Sequence, residues 1–315
     1  MMRRVGSSDL SVFPLCLGAN VFGWTSDEQE SFDVLDSYVA AGGNFIDTAD
    51  VYSAWAPGNS GGESEEIIGR WMAARGNRDG IVLATKVGRL PGAEDLRPAT
   101  IRRAAEHSLA RLQTDHIDLY YAHGDDDESL PIADTLGAFA ELIDEGKVRY
   151  IAASNYGVAR LAEALELARG GDLPPYVALQ PHYNLVDRTQ YEGPLAALCA
   201  REGVACIPYY ALARGFLTGK YRVGGDNANS PRAGAASAHL DNRGRAILAA
   251  LDELAAGHET TVAAVALAWL AAQPTVVTPI ASARTPEQLA GLLPMVDLDL
   301  SAAELERLTE AATPS

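Results

Sequence analysis

Four residue types in this chain could act together on a carbonyl group. A buried lysine beside an aspartate can hold a positive charge that favours ionisation of a neighbouring tyrosine hydroxyl, whose ordinary pKa is about 10. Such a tyrosine can protonate the alkoxide that forms at a carbonyl carbon, and a histidine can donate a hydrogen bond to the same oxygen. The set holds neither a covalent nucleophile nor a metal, so it suits hydride transfer. Its members are Asp47, Tyr52, Lys86 and His123.

Each of these residues also has an ordinary structural interpretation. An aspartate after a strand often caps a loop or a helix, a lysine at a strand end is often a solvated charge, and a single histidine is more often structural. The chemical interpretation therefore depends on elements that bring the four side chains together.

Those elements alternate along the chain. Short runs of Val, Ile, Leu and Tyr without strict alternation predict strands that are covered on both faces. The predicted strands are 15–18, 44–48, 81–86, 117–122, 148–154, 176–180, 205–209 and 276–280. The predicted helices between them are 28–41, 63–74, 99–112, 132–145, 158–169 and 190–202. Eight strands that alternate with helices favour a closed parallel barrel over an open sheet.

The sequence thus predicts one α/β domain over residues 1–315, a (β/α)8 TIM barrel with additions. Residues 5–10 predict an N-terminal β-hairpin that could close the bottom of the barrel, and an extra helix is expected at the C-terminal end. Residues 214–243 are rich in Gly, Asn and Ala, and a loop of this length is usually functional. The chemical candidates follow the carboxyl ends of strands, where barrels of this kind place their active sites.

Composition restricts the class of protein. The formal net charge of −17 disfavours a nucleic-acid partner. The longest apolar run, 262–272, is shorter than the roughly 20 residues that span a bilayer, so it predicts a buried helix rather than a membrane segment. The chain starts without an apolar signal-peptide core, and its three cysteines do not form a disulfide framework. These features predict a soluble, cytoplasmic protein, and the histidine spacing predicts no metal site.

Longer motifs carry a family resemblance. They are FIDTADVY at 45–52, ATK at 84–86, IDLYYAH at 117–123, ASNY at 153–156, QPHYNL at 180–185 and GFLTGKY at 215–221. In this order they resemble the aldo-keto reductase superfamily, and in particular bacterial members related to potassium-channel β subunits. The resemblance implies a barrel that reduces an aldehyde or ketone with NADP(H), with Tyr52 as the general acid and Asp47, Lys86 and His123 as its partners.

An alternative is a regulatory or interaction subunit that binds the cofactor with little turnover. The channel subunits carry Asn where this chain has His123, so the histidine favours an enzyme. A metal-dependent barrel hydrolase is disfavoured, because several His and Asp ligands would be needed at the strand ends. The expected partner is a small-molecule carbonyl substrate, and the sequence leaves its identity and the oligomeric state open.

The resemblance also implies a cofactor site. Ser154, Asn155 and Gln180 match residues that hydrogen-bond the nicotinamide carboxamide, and Tyr209 matches the aromatic residue that stacks on the nicotinamide ring. Arg284 matches a residue that grips the adenosine 2′-phosphate, which favours NADP over NAD. The other matching positions are Gly18, Ala19, Asn20, Asp47, Leu212, Gly215, Lys220, Arg232, Ser282 and Gln288.

Several of these positions keep a second interpretation. Ser154 and Asn155 could simply cap the following helix, and the basic side chains could be surface charges. The chain also departs from the family where Tyr210-Ala211-Leu212 replaces Ser-Pro-Leu and Gly291-Leu292 replaces Glu-Asn, which puts a hydroxyl contact to the pyrophosphate and the adenine contacts in question.

Two loop tryptophans complete the candidate site. Trp24 and Trp55 follow the first and second predicted strands, and loop tryptophans favour a role in a substrate pocket beside Tyr52 and His123. His182 is the near neighbour of Gln180. It could line the pocket or have a structural role, and the sequence supports both interpretations equally.

Overall fold

The centre of the molecule is a sheet of eight parallel strands that curls into a barrel with helices around it. The computed structural model describes residues 1–127, 129–222, 234, 236 and 238–313. The barrel strands are β3 (Cys16–Gly18), β4 (Phe45–Asp47), β5 (Val82–Val87), β6 (Ile117–Ala122), β7 (Val148–Ser154), β8 (Tyr176–Gln180), β9 (Ala205–Cys206) and β10 (Ile280–Ala281). This arrangement confirms the predicted (β/α)8 barrel. Residues 223–233 of the predicted long loop, which include Arg232, lie outside the described residues.

The strands follow one another around the barrel in chain order, and β10 pairs with β3. The ring closes between β9 and the segment that leads into β10. There the amide of Cys206 donates to the carbonyl of Thr275 over 2.8 Å, and the amide of Ile280 donates to the carbonyl of Pro208 over 2.9 Å. Because the eight strands are parallel, their carboxyl ends meet at one face of the barrel.

The helices pack on the outside of the barrel. They are α1 (Glu28–Ala40), α2 (Glu63–Arg75), α3 (Pro98–Leu112), α4 (Ile132–Asp144), α5 (Val158–Ala168), α6 (Pro194–Glu202), α7 (Asn242–Gly257), α8 (Val262–Ala271), α9 (Pro286–Ala290) and α10 (Ala302–Ala311). Short 3₁₀ segments occur at Arg78–Gly80, Ala213–Thr218 and Leu293–Val296. Helix α10 is the predicted C-terminal extra helix; it begins with a capping box at Ser301 and packs against α7.

Three prolines, one of them together with a preceding glycine, account for the largest departures from the predicted boundaries. The helix predicted over 190–202 begins only at Pro194, because Gly193 before it has a φ of 89°. The strand predicted over 205–209 ends at Cys206, two residues before Pro208. The strand predicted over 276–280 forms at Ile280–Ala281, directly after Pro279. Proline lacks the amide hydrogen that a strand ladder needs, so regular pairing does not pass through it.

The predicted N-terminal hairpin is formed by β1 (Arg3–Arg4) and β2 (Ser11–Val12), which pair antiparallel. Its turn enters the barrel, where Val5 and Leu10 pack in one apolar cluster with the inward-facing Tyr121. Gly6 permits this approach, since its φ is 51° and a Cβ there would lie 2.2 Å from the carbonyl oxygen of Val177. The hairpin therefore fills the end of the barrel opposite the carboxyl ends of the strands.

The apolar run at 262–272 is the buried helix α8, as predicted, and Cys16, Cys199 and Cys206 are buried and free. Among the described residues, no single helix is long and apolar enough to cross a membrane; the pair α7 and α8 meets that test only jointly, and it bends by 100° between the two helices.

Candidate active site

Lys86 is the centre of a hydrogen-bonded group at the carboxyl ends of β4 and β5. Its ammonium donates to Asp47 Oδ2 over 2.7 Å, to the backbone carbonyl of Thr48 over 2.7 Å and to the hydroxyl of Tyr52 over 2.9 Å. The hydroxyl of Tyr52 lies 3.3 Å from the same Asp47 oxygen. The fold thus brings three of the four chemical candidates into contact, with Lys86 and Asp47 fully buried.

The pKa of the Tyr52 hydroxyl lies well above 10. Desolvation is the largest cause, followed by the negative charge of Asp47. Burial and the carboxylate thus outweigh any stabilisation of the phenolate by the Lys86 ammonium, which lies 2.9 Å from the hydroxyl. Burial also lowers the pKa of Lys86, although Asp47 opposes that shift. Tyr52 consequently holds its proton, which suits a donor.

His123, the fourth candidate, follows β6 and lies edge-on to Tyr52, with 6.2 Å between the ring centres. Its Nδ1 is buried and has no hydrogen-bond partner among the described residues. Desolvation lowers the pKa of His123 well below 6.5, and the charges of Lys86 and Arg89 lower it further. The imidazole is therefore neutral at ordinary pH, and it can donate a hydrogen bond without carrying a charge.

A second chain of hydrogen bonds runs along the ends of β7, β8 and β9. Gln180 donates to Asp47 Oδ1 over 2.9 Å, and Ser154 donates to the carbonyl of Gln180 over 3.1 Å. Asn155, which has a φ of 60°, donates to the carbonyl of His123 and accepts from the hydroxyl of Tyr209 over 2.8 Å. These contacts fix the predicted amide-binding side chains relative to the Lys86 group.

All of these side chains except Lys86 line one cavity of about 860 Å³ at the carboxyl-end face of the barrel. That volume lies within the range of cofactor and substrate pockets. The predicted site residues along its wall are Gly18, Asn20, Trp24, Asp47, Tyr52, Trp55, His123, Ser154, Asn155, Gln180, Tyr209, Leu212, Gly215, Lys220, Ser282, Arg284 and Gln288.

Three predicted residues have other positions. Lys86 lies behind Tyr52 and does not reach the wall, as a group acting through Tyr52 should. Ala19 is fully buried, and its backbone bonds the carbonyl of Asp47 and the hydroxyl of Ser64, so it supports the β4 end instead of lining the cavity. Arg232 is outside the described residues.

The wall fits a nicotinamide dinucleotide at several points. Tyr209 stacks on His182 at an interplanar angle of 21°, and the Tyr209 ring lines the cavity as a flat aromatic surface. His182 Nε2 lies 3.1 Å from Asp187 Oδ2. This contact agrees with the structural one of the two interpretations of His182. A Cβ at Gly18 would lie 2.8 Å from the hydroxyl oxygen of Ser282, so only glycine allows that close approach.

Basic side chains line the cavity beyond Tyr209. Lys220 and Arg214 follow β9, Arg284 follows β10, and all three are exposed at the cavity wall. Cations at this position suit the phosphates of a dinucleotide. Helix α9 is capped by its own residues, since Thr285 accepts from the amide of Gln288 and the Gln288 side chain accepts from the amide of Arg284.

The aromatic part of the wall lies above Tyr52. Trp24 and Trp55 meet edge to face with 5.7 Å between ring centres, and Trp55 lies 6.1 Å from Tyr52. Trp55 remains 48% exposed. The two predicted substrate tryptophans therefore lie on the same part of the cavity wall as Tyr52.

Sequence reasoning missed other lining residues, chiefly Arg89, Tyr210 and Arg214. Tyr210 has a φ of 52°, and the guanidinium of Arg214 lies 4.8 Å from the centre of its ring. Arg89 comes three residues after Lys86, at the end of β5. The signal that was available for Arg89 was this position, because a charge just past a strand end points to the active face of a barrel.

A buried acidic cluster lies behind the site. Both carboxylate oxygens of Asp50 are buried, and no side chain within the described part of the chain donates a hydrogen bond to them. Glu65, also fully buried, accepts from Thr85 and from Arg111 Nε over 2.7 Å. Burial, and then the charge of Glu65, raise the pKa of Asp50 to about 7, against the charge of Arg111, the backbone amide of Val51 and the charge of Lys86.

Groups of three or more His, Cys, Asp or Glu side chains that could hold a metal ion do not occur among the described residues.

The chain is similar to known proteins over nearly its whole length. A sequence model described as the aldo/keto reductase family matches residues 14–313. Protein tas of Escherichia coli (strain K12) is 32% identical over 340 residues, which cover 99% of this chain and 98% of that protein. The uncharacterized oxidoreductase YrpG of Bacillus subtilis (strain 168) is 35% identical over 316 residues, which cover 97% and 94%. Norsolorinic acid reductase B of Aspergillus parasiticus is 32% identical over 323 residues, which cover 97% and 82%.

Proposed function

The chain belongs to the aldo/keto reductase family, and we propose that it reduces an aldehyde or ketone to the alcohol with NADPH, reversibly, with Tyr52 as the proton donor. One observation carries this proposal. The hydroxyl of Tyr52 lines the cavity while bonded at 2.9 Å to a fully buried ammonium, which is itself paired with Asp47. Members of this family use nicotinamide cofactors, and the amide, aromatic and basic side chains along the wall suit such a molecule.

Each of these residues has a separate role at the carbonyl oxygen of the substrate. The bound reduced nicotinamide supplies a hydride to the carbonyl carbon. Tyr52 donates its proton to the oxygen, and the Lys86 ammonium stabilises the phenolate left behind. Neutral His123 donates a hydrogen bond to the same oxygen and orients it. Asp47 keeps Lys86 charged, since burial alone favours the neutral amine.

The cofactor preference is assigned to the basic side chains. Arg284, together with Ser282, would bind the 2′-phosphate of NADPH, a charge-assisted contact that NADH cannot make. Tyr209 would stack on the nicotinamide, and Ser154, Asn155 and Gln180 would bind its carboxamide. The carbonyl substrate would occupy the part of the cavity lined by Trp24, Trp55, Tyr52 and His123, whose rings contact one another in sequence.

The test is a panel of aldehydes and ketones with NADPH, followed by absorbance at the nicotinamide band. Tyr52→Phe should reduce kcat by about 10²–10⁴, because the general acid is lost while the aromatic ring remains. NADPH affinity, measured by fluorescence titration, should stay near the wild-type value.

The matched control is Tyr150→Phe. Tyr150 lies near the start of β7, at the opposite end of the barrel, where its hydroxyl accepts from the amide of Asp9. That variant loses a phenolic hydroxyl outside the cavity and should keep its activity. Wild-type protein without turnover on the whole panel, or near-normal kcat in Tyr52→Phe, would overturn the proposal.

A further inference from the structure

Arg89 is a cation on the reactive side of the cavity that the proposed reaction does not use. It follows β5, whose neighbours β4 and β6 lead into Tyr52 and His123. In the strand order, β5 stands opposite β9, and β9 is the strand that leads into Arg214 and Lys220. The strand that carries Arg89 therefore lies across the barrel from the strand that leads into the basic groups assigned to the cofactor phosphates.

The guanidinium of Arg89 rests against the backbone next to His123. Gly124 directly follows His123, and a Cβ at Gly124 would lie 2.5 Å from Nη2 of Arg89 and 2.8 Å from its Nε. A side chain at position 124 would therefore occupy the space that the guanidinium now fills. The charge of Arg89 thus lies within one residue of the group that orients the carbonyl oxygen.

Among the described residues, Asp126 is the side chain whose oxygen accepts a hydrogen bond from Arg89. Its Nε is buried and has no partner in the ranges that the structure describes. Its Nη2 lies 3.4 Å from Asp126 Oδ2, and the Asp126 side chain is 74% exposed. An ion pair of this length with a solvated carboxylate is weak, so a better-placed anion can replace it.

We propose that Arg89 binds a carboxylate on the carbonyl substrate, so that this enzyme acts preferentially on oxo acids. The inference rests on the proposed function and names its substrate class. A guanidinium is a planar fork that matches a carboxylate with two parallel hydrogen bonds. The aromatic wall of Trp24 and Trp55 covers the apolar part of such a substrate. The net charge of −17 opposes anion entry over distance, but screening at physiological salt leaves the local contact dominant.

Matched pairs of acid and ester test this assignment. The pairs are 4-carboxybenzaldehyde with methyl 4-formylbenzoate, and phenylglyoxylate with methyl phenylglyoxylate, which place the carboxylate far from and next to the carbonyl. For at least one pair the wild-type kcat/KM should favour the acid by about tenfold or more. The measured quantity is the acid-to-ester ratio, because a ratio cancels any general change in activity.

Arg89→Gln should lower that ratio by about ten- to hundredfold, since the side chain keeps polar atoms but loses its charge. Arg89→Lys should give an intermediate ratio, because the charge remains and the fork is lost. The neighbouring control Asp126→Asn removes the competing carboxylate and should keep or raise the ratio. Benzoate, which is not reduced, should inhibit benzaldehyde reduction competitively in the wild type, with an inhibition constant about tenfold weaker in Arg89→Gln.

The outcomes separate the two proposals. Turnover of the esters with an acid-to-ester ratio unaffected by Arg89→Gln would overturn the role of Arg89 and leave the reductase function standing. A wild-type preference for the ester in both pairs would do the same. Failure to reduce any acid, ester or benzaldehyde would overturn the proposed function together with this inference.

Discussion

The buried carboxyl group of Asp50 predicts a specific dependence of stability on pH. Its pKa is raised from 3.8 to about 7 in the folded protein, chiefly by burial. In the unfolded chain the same group ionises near its ordinary value. Between these values the folded state holds a proton that the unfolded state has released, so the free energy of unfolding falls as pH rises.

The magnitude follows from the size of that shift. Each unit corresponds to about 1.4 kcal/mol, and the shift spans about three units, so the full cost is about 4 kcal/mol above pH 7. Near pH 4 the cost is below about 1 kcal/mol, and it disappears at lower pH, where the carboxyl is neutral in both states. Most of the change, about 3 kcal/mol, should fall between pH 4 and pH 7.

Asp50→Asn should remove this cost, because the amide has nearly the same shape and no charge. The variant should match the wild type near pH 4 and exceed its free energy of unfolding by about 3–4 kcal/mol at pH 8. Urea unfolding at unit steps of pH from 4 to 9 measures the difference, which cancels the titration of other groups. Asp126→Asn, a substitution of an exposed carboxylate, is the control and should leave the pH slope as it is.

A wild-type and an Asp50→Asn curve that stay parallel across this range would refute the reasoning. That result would mean that Asp50 is ionised in the folded protein and has a partner or a water path. Glu65 is the first group to examine in that case, since its charge is the second cause of the shift and its own carboxylate is already paired with Arg111.

Two further predictions concern the site itself. Asp47→Asn leaves the buried ammonium of Lys86 without its counter-charge, so the free energy of urea unfolding should fall by about 3–5 kcal/mol and the rate of NADPH oxidation should fall. Adding Lys86→Met should restore stability but not activity. An equal loss of stability in the double variant would contradict the pairing. Arg284→Ala should weaken NADPH binding by about ten- to hundredfold and leave NADH binding nearly unchanged, as fluorescence titration of both cofactors will show; equal losses for both would remove Arg284 from the 2′-phosphate.

The barrel and the position of its active face could be predicted from the sequence, because both depend on local patterns. Apolar runs marked the strands, and the polar residues just after them, such as Asp47 and His123, marked the face where parallel strands end. Boundaries failed near Pro194 and Pro208, where single residues interrupt regular hydrogen bonding.

Electrostatic properties depend on burial, which the sequence does not display. The spacing of Lys86 and Tyr52 indicated contact correctly, but the direction of the Tyr52 pKa shift depends on how completely the hydroxyl is desolvated and on which charge lies nearer. Arg89 was missed for a related reason. A basic residue after a strand looks like a solvated charge until the backbone of Gly124 shows where its guanidinium rests.

The hairpin that fills one end of the barrel imposes an order on folding. Residues 5–10 precede the barrel strands in the chain, yet they share one apolar cluster with Val177 and Ile280, so the hairpin completes its packing only after these strands have been made. The guanidinium of Arg3 shows the same delay, since it donates to the carbonyls of Ala271 and Val277, which lie more than 260 residues away. Contacts between residues so far apart in sequence tend to form late, because closing a large loop costs conformational entropy before the new contacts contribute favourable free energy. We therefore expect the hairpin residues, although they precede the strands in the chain, to reach their native position only after the strands of the barrel have assembled.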